Sequence, residues 1–180
     1  MLDFSVADLI QAPFGTTRDV QIDDHPADLG PELILTEPIR GHARIHRTQG
    51  GVLVQCEAST TAELECSRCL QTFTRPLRVR FTEVFHSDEI PGAEDEEEVD
   101  GDEPFRVDEH HIIDMMEPLR QYFTIELPLA PVCRPDCVGL CPSCGAPLEG
   151  HDCQLGDNGP LNPFAALAQL QRETDEADRA

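Results

Sequence analysis

There is no lysine and no tryptophan in these 180 residues, and only one tyrosine, Tyr122. Arginine is therefore the whole supply of fixed positive charge: 13 side chains against 35 acidic ones, a formal net charge of −22. A chain so acidic repels phosphate backbones, which excludes broad, non-specific nucleic-acid binding. Aromatics make up 5% of residues, so the core is small, and small cores commonly need cross-linking by disulfide or metal. No apolar run is long enough to span a bilayer, which excludes a membrane partner of that kind. The opening stretch "MLDFSVADLIQAPFG" lacks a basic start, an uninterrupted apolar run and a small-residue cleavage site, so it does not read as a secretion signal. Also missing are a phosphate-cradling glycine loop, a metalloprotease motif and a nucleophile–base pair. The expectation is a cytoplasmic protein that is not an enzyme and has no small-molecule substrate.

What the chain does have is cysteine. Five of its eight cysteines fall in "VCRPDCVGLCPSCGAPLEGHDC", residues 132–153, and "CSRC" adds Cys66 and Cys69 upstream. Structural disulfides are uncommon in a reducing cytosol, so metal ligation is the default reading. A Cys-x2-Cys turn lets two sulfurs converge on one ion, and tetrahedral zinc needs four ligands. Cys56 lies in an apolar segment and reads as an ordinary core thiol. The other seven cysteines and His151, two residues before Cys153, make eight donors, enough for one or two zinc ions. One grouping takes Cys141, Cys144, His151 and Cys153 as a local ribbon-like site. It joins Cys66 and Cys69 to Cys133 and Cys137 in a second. A rival grouping puts both Cys-x2-Cys turns on one ion and leaves Cys133, Cys137 and Cys153 elsewhere. Thiolate-rich sets fill the ion's coordination and lower its Lewis acidity, so structural zinc is expected.

The chain divides by composition into five parts. Residues 1–86 read as an antiparallel sheet region carrying the first Cys-x2-Cys turn, with one or two edge strands within residues 1–30. Around Gly50-Gly51 two extended segments fold back on each other, and "PLRVRFTEVFH" alternates Leu77, Val79 and Phe81 with Arg78 and Arg80. Residues 87–107 read as a disordered acidic loop, because 12 of the 35 acidic residues lie between Asp88 and Glu109. Residues 108–128 hold a helix packed on the sheet. Its start is a capping box at Asp114 and Glu117, its apolar face is Leu119, Tyr122, Phe123 and Ile125, and it stops before Pro128. Residues 129–156 form the cysteine-rich zinc segment, and 160–180 a C-terminal helix and tail. The fold class is α+β: an antiparallel sheet or partly open barrel, one or two helices and a zinc-ribbon-like segment.

Net charge hides a basic window. Arg40, Arg44, Arg47, Arg68, Arg75, Arg78 and Arg80 are seven of the 13 arginines. Arg78 and Arg80 project from the solvent face of their strand, with Arg68 in the neighbouring cysteine turn, and these three are the candidate RNA contacts. His42 and His46 share a strand face with Arg44.

Taken in order, "CSRCLQTF" after a sheet, an acidic insertion, "IDMMEPLRQYFTIELPLAPVC" and "DCVGLCPSCGAPL" resemble the YceD family, the large ribosomal RNA subunit accumulation proteins of bacteria and plastids. The resemblance runs from about residue 50 to residue 171 and takes in "NPFAALAQLQRE" near the end. Members with the full cysteine set read Cys-x-Cys where this chain has His151-Asp152-Cys153; a second alignment puts Cys153 first and Leu155 where the next cysteine belongs, one ligand short. The resemblance implies no catalysis and a role in ribosome assembly. Its expected partners are large-subunit ribosomal RNA or a pre-ribosomal particle, and ribosome-assembly proteins. The competing readings are a zinc-ribbon protein–protein adaptor and a redox-sensing zinc protein.

Overall fold

The computed structural model describes residues 2–24, 29–30, 33–87 and 105–153. Most of the expected acidic loop (88–104) and the whole expected C-terminal helix (160–180) lie outside the described residues. The chain forms two compact units: Met1–Cys66 with Gln71–Cys133, and Ser67–Leu70 with Arg134–Ala180.

The larger unit is built on strands β1 (Asp3–Ser5), β2 (Thr17–Asp24), β3 (Ile34–Leu35), β4 (Ile39–Arg47), β5 (Gly51–Glu65), β6 (Thr72–His86) and β7 (Ile112–Asp114), with helices α1 (Ala7–Gln11) and α2 (Met116–Glu126). β5 and β6 form a long antiparallel hairpin, paired from Gly51↔His86 to Glu65↔Thr72. β4 pairs the other edge of β5 through 52–59, β3 continues that edge at Ala62 and Glu63, and β2 pairs β4. This main sheet is antiparallel and open, not a closed barrel. Pro76 stands in β6, which among the described residues pairs only β5 along its ladder; an edge strand tolerates the missing N–H. β1 and β7 form a separate antiparallel pair.

The two-residue alternation sets the layers. Val52, Val54, Cys56 and Ala58 of β5 face inward with Ile39, Ala43 and Ile45 of β4 and Leu77, Val79, Phe81 and Phe85 of β6. Leu119 and Phe123 of α2 join that core, and Tyr122 stacks on Phe81 with ring centroids 4.4 Å apart. Gly41 is required where β4 crosses β5: a Cβ there would stand 2.2 Å from the Glu57 carbonyl oxygen.

The one or two edge strands expected within residues 1–30 are β1 and β2, with a short helix at 7–11 between them that buries Leu9; five residues are too few to show helical periodicity. Three local expectations change. The α2 start is not a capping box. Asp114 Oδ1 accepts the Met116 N–H, while Glu117 turns along the helix to Arg120 and Gln121. Ile125 falls off the apolar face and is exposed, because 3.6 residues per turn carries it away from Leu119 and Phe123. Arg47 is not part of a basic surface. It has the inward parity of Ile45 and lies buried, donating to the carbonyls of Ile10, Thr48 and Gly51.

The ends of the acidic run meet. His86 donates its N–H to the Phe105 carbonyl and Val107 donates to the His86 carbonyl, so the chain leaves β6 at Ser87 and returns beside it at 105–107.

Candidate metal centres and the arginine face

Two groups of four donors converge among the described residues. Cys66, Cys69, Cys133 and Cys137 form one; Cys141, Cys144, His151 and Cys153 form the other. In each, the ligand atoms all lie within 4.8 Å of one another. Zinc–sulfur bonds of about 2.3 Å in a tetrahedron place sulfurs roughly 3.8 Å apart, so both groups are near the spacing one ion demands. Cys66 and Cys69 lie with Cys133 and Cys137, and not with Cys141 and Cys144 as in the rival grouping. His151 takes its place beside Cys153, which fits the first of the two alignments of "HDC".

The two Cys-x2-Cys turns are built alike. The N–H of Cys66 donates to the Gln71 carbonyl, and that of Cys141 to the Ala146 carbonyl, each five residues on. The residue after the second cysteine has a left-handed backbone in both: Leu70 at φ 59° and Gly145 at φ 74°. Such a turn points backbone N–H groups at the first sulfur. Those of Ser143 and Cys144 lower the Cys141 thiol to about 6, which favours the thiolate that binds metal. Cys144 Sγ lies 2.9 Å from His151 Nε2.

The surroundings of each group are local. Cys66 and Cys69 are buried, as are Cys137 and Cys141. The Cys137 N–H closes a turn on the Arg134 carbonyl, and Leu148 donates to the Gly139 carbonyl. Arg134 bridges Glu149 at 2.6 Å. A thiol-rich set of soft donors within 4.8 Å of one another suits a thiophilic divalent ion such as zinc. Cys56 stays apart from both groups, inside the sheet core, where burial pushes its thiol up to about 12.

The candidate RNA contacts differ among themselves. Arg68 donates to the carbonyls of Pro135 and Cys137, so part of its guanidinium is committed to the cysteine-rich unit. Arg80 projects from the outer face of the sheet and pairs with Glu57 at 2.9 Å. Arg78 is exposed on the same face and has no ion-pair partner among the described residues. His42, Arg44 and His46 also face outward; Arg44 holds Asp19 at 2.7 Å and His46 contacts Gln55. Arg40, one of the seven arginines of the basic window, also stands on this face, where the register sets it directly across from Ser59. No helix among the described residues is long and apolar enough to cross a membrane.

Residues 54–171, more than half the chain, match the family described as large ribosomal RNA subunit accumulation protein YceD. Uncharacterized proteins of Mycobacterium bovis and Mycobacterium tuberculosis are 37% identical over 129 residues, covering 70% of this chain and 60% of theirs. One from Mycobacterium leprae is 32% identical over 136 residues, 69% of this chain and 58% of its own. The chain thus spans about 60% of the length of these relatives. No solved structure gives a significant match.

Proposed function

Because the chain belongs to the YceD family, the large ribosomal RNA subunit accumulation proteins, we propose that it is a cytoplasmic, non-enzymatic zinc protein that supports large-subunit ribosomal RNA accumulation during ribosome assembly. The observation that carries the zinc reading is the pair of four-donor groups on one chain. Cys66, Cys69, Cys133 and Cys137 hold one ion, and Cys141, Cys144, His151 and Cys153 the other. When bound, each ion supplies a structural cross-link. A catalytic zinc keeps a position open for water or substrate, whereas four protein donors fill a tetrahedron. The partners are large-subunit ribosomal RNA or its precursor particle, with assembly proteins. Arg78 and Arg80 are the proposed RNA contacts of the sheet, and Arg68 a contact of the cysteine turn.

The test is sedimentation of cell extract together with measurement of ribosomal RNA on depletion. The protein is expected to migrate with large-subunit precursors, and large-subunit RNA to fall relative to small-subunit RNA when it is lost. Migration only with free protein and an unchanged RNA ratio would overturn the reading. An adaptor function is the second reading, favoured by exposed apolar side chains in the cysteine-rich unit at Leu70, Val138 and Leu148.

A further inference from the structure

The outward-facing side chains of the main sheet stand in registered rows. One row reads Asp23, Arg40, Ser59, Arg78 across β2, β4, β5 and β6. The next reads Gln21, His42, Glu57, Arg80. Arg40 and Arg78 both flank Ser59, with Cα positions two strand spacings apart, about 9.5 Å. Two long guanidinium side chains at that separation reach a single anion lying over the Ser59 hydroxyl. A groove of about 440 Å³ runs along this row, lined by Arg40, Ser59, Thr61, Pro76 and Arg78 with Glu37 at its side. A second, of about 320 Å³, lies along the row of His42, Glu57 and Arg80.

The face has two further properties. No Phe, Tyr or Trp stands on it among the described residues; the aromatics of β6 are at Phe73, Phe81 and Phe85, on the opposite parity. Its charge is also nearly balanced, since Arg44 holds Asp19, Arg80 holds Glu57, and Arg40 lies 3.7 Å from Asp23. Each paired guanidinium still presents unused N–H groups, because arginine has five donors. Single-stranded RNA is held largely by stacking bases on aromatic platforms inside a basic groove. Duplex RNA is read by its shape, through phosphates and 2′-hydroxyls across a shallow minor groove. A grooved face of guanidinium, hydroxyl, amide, imidazole and carboxylate groups without aromatics suits the second.

We propose that the outer face of the main sheet docks the backbone of double-stranded RNA, with one phosphate seated between Arg40 and Arg78 over Ser59. This rests on the RNA reading above and specifies the form of RNA that this face accepts. Arg78 supplies a guanidinium with no ion pair among the described residues, and Arg40 exchanges its long contact with Asp23 for the phosphate. Few counterions are released, so the logarithmic salt slope of binding is shallow, about −1 to −2.

The test uses the full, reduced, zinc-loaded chain and four probes: a short RNA duplex, each of its strands alone, and the DNA duplex of the same sequence. Binding is measured across a salt series for wild type, the Arg40→Ala/Arg78→Ala double variant, Arg78→Lys and Arg75→Ala. Arg75 is an exposed residue of β6 on the other parity and serves as control. The RNA duplex is expected to bind more tightly than either strand and than the DNA duplex. The double variant should lose about tenfold and flatten the salt slope, with Arg78→Lys between it and wild type and Arg75→Ala unchanged. Near-ultraviolet dichroism confirms that the variants are folded. A single strand bound as tightly as the duplex, or a folded double variant that binds like wild type, would overturn this inference and leave the assembly function standing. Absence of any RNA binding by a chain that still migrates with large-subunit precursors would do the same, and would turn attention to a protein contact. Failure to migrate with those precursors counts against the assembly function alone.

Discussion

Leu70 occupies a backbone position that the matching turn gives to glycine. Its φ of 59° costs an L-residue with a Cβ about 1 kcal/mol, and its side chain is 56% exposed, so it gains little from packing. Leu70→Gly is therefore expected to raise the unfolding free energy by a few tenths to about 1 kcal/mol, seen as a higher denaturant midpoint, and Gly145→Ala to lower it by a similar amount. A lowered midpoint for Leu70→Gly would mean that the exposed leucine has a contact not seen here. Titration offers a second check. Tyr122 donates to Glu83, and this hydrogen bond holds its hydroxyl up at about 12. A folded pKa above the ordinary value of 10.0 favours the fold at neutral pH, and that contribution is lost as pH rises through about 12. Tyr122→Phe should flatten the alkaline arm of a stability–pH curve and cost about 1 kcal/mol at pH 7. Glu117 works in the other direction: hydrogen bonds from Arg120 and Gln121 hold it at about 2, below its ordinary 4.5. Its contribution is present above pH 4.5 and is lost as pH falls toward about 2, so Glu117→Gln should flatten the acid arm. The pair is half-exposed, so the effect is small.

Turns and strands carry different parts of the proposed chemistry. Each Cys-x2-Cys turn contributes only two donors, and the others come from Cys133 and Cys137 or from His151 and Cys153. Removing one ligand from either group should thus release one ion and leave the other. Cys69→Ser and Cys144→Ser are each expected to halve the zinc content measured by elemental analysis of reduced protein. Cys69→Ser should also open residues 130–140 to protease, because a structural zinc site contributes several kcal/mol or more of folding free energy. Full zinc content in Cys69→Ser would count against the first group. The β4–β5 contact is fixed by a different device. Gly41→Ala places a methyl against the Glu57 carbonyl and the Ala58 Cα, backbone atoms that cannot swing aside. It should destabilise the sheet by about 1–3 kcal/mol, read from urea unfolding.

Over the molecule, the apolar core and the proposed metal groups are separate. The core cluster of the larger unit includes Cys56 but none of the eight proposed ligands. Chelation under reducing conditions is therefore expected to expose 134–153 to protease while the strand signal in far-ultraviolet dichroism persists. Loss of the whole strand signal on chelation would show that the sheet core cannot stand without metal. Ten of the 35 acidic residues fall within 88–104, outside the described residues, while Arg78 and Arg80 stand on one sheet face.

Alternation at Leu77, Val79 and Phe81 was enough to read the strand, its buried side and the outward arginines, because a period of two leaves no choice of face. The spacing of Cys66 with Cys69, and of Cys141 with Cys144, was likewise enough to read two metal-type turns, since each is closed by a few neighbouring residues. Helix α2 showed its apolar face through Leu119 and Phe123. The partners of each turn were beyond such reasoning. Which of Cys133, Cys137 and Cys153 joins Cys66 and Cys69 depends on where chain segments more than 60 residues apart meet, and local spacing carries no record of that. Arg47 shows the same limit. Its type marks it as surface charge, yet the turn between Arg47 and Gly51 offers it two carbonyls and Ile10 of α1 a third, and meeting those acceptors offsets the loss of water. Arg40, Ser59 and Arg78 became one row only once β4, β5 and β6 were paired in register, because a shift of one residue would turn each to the other face.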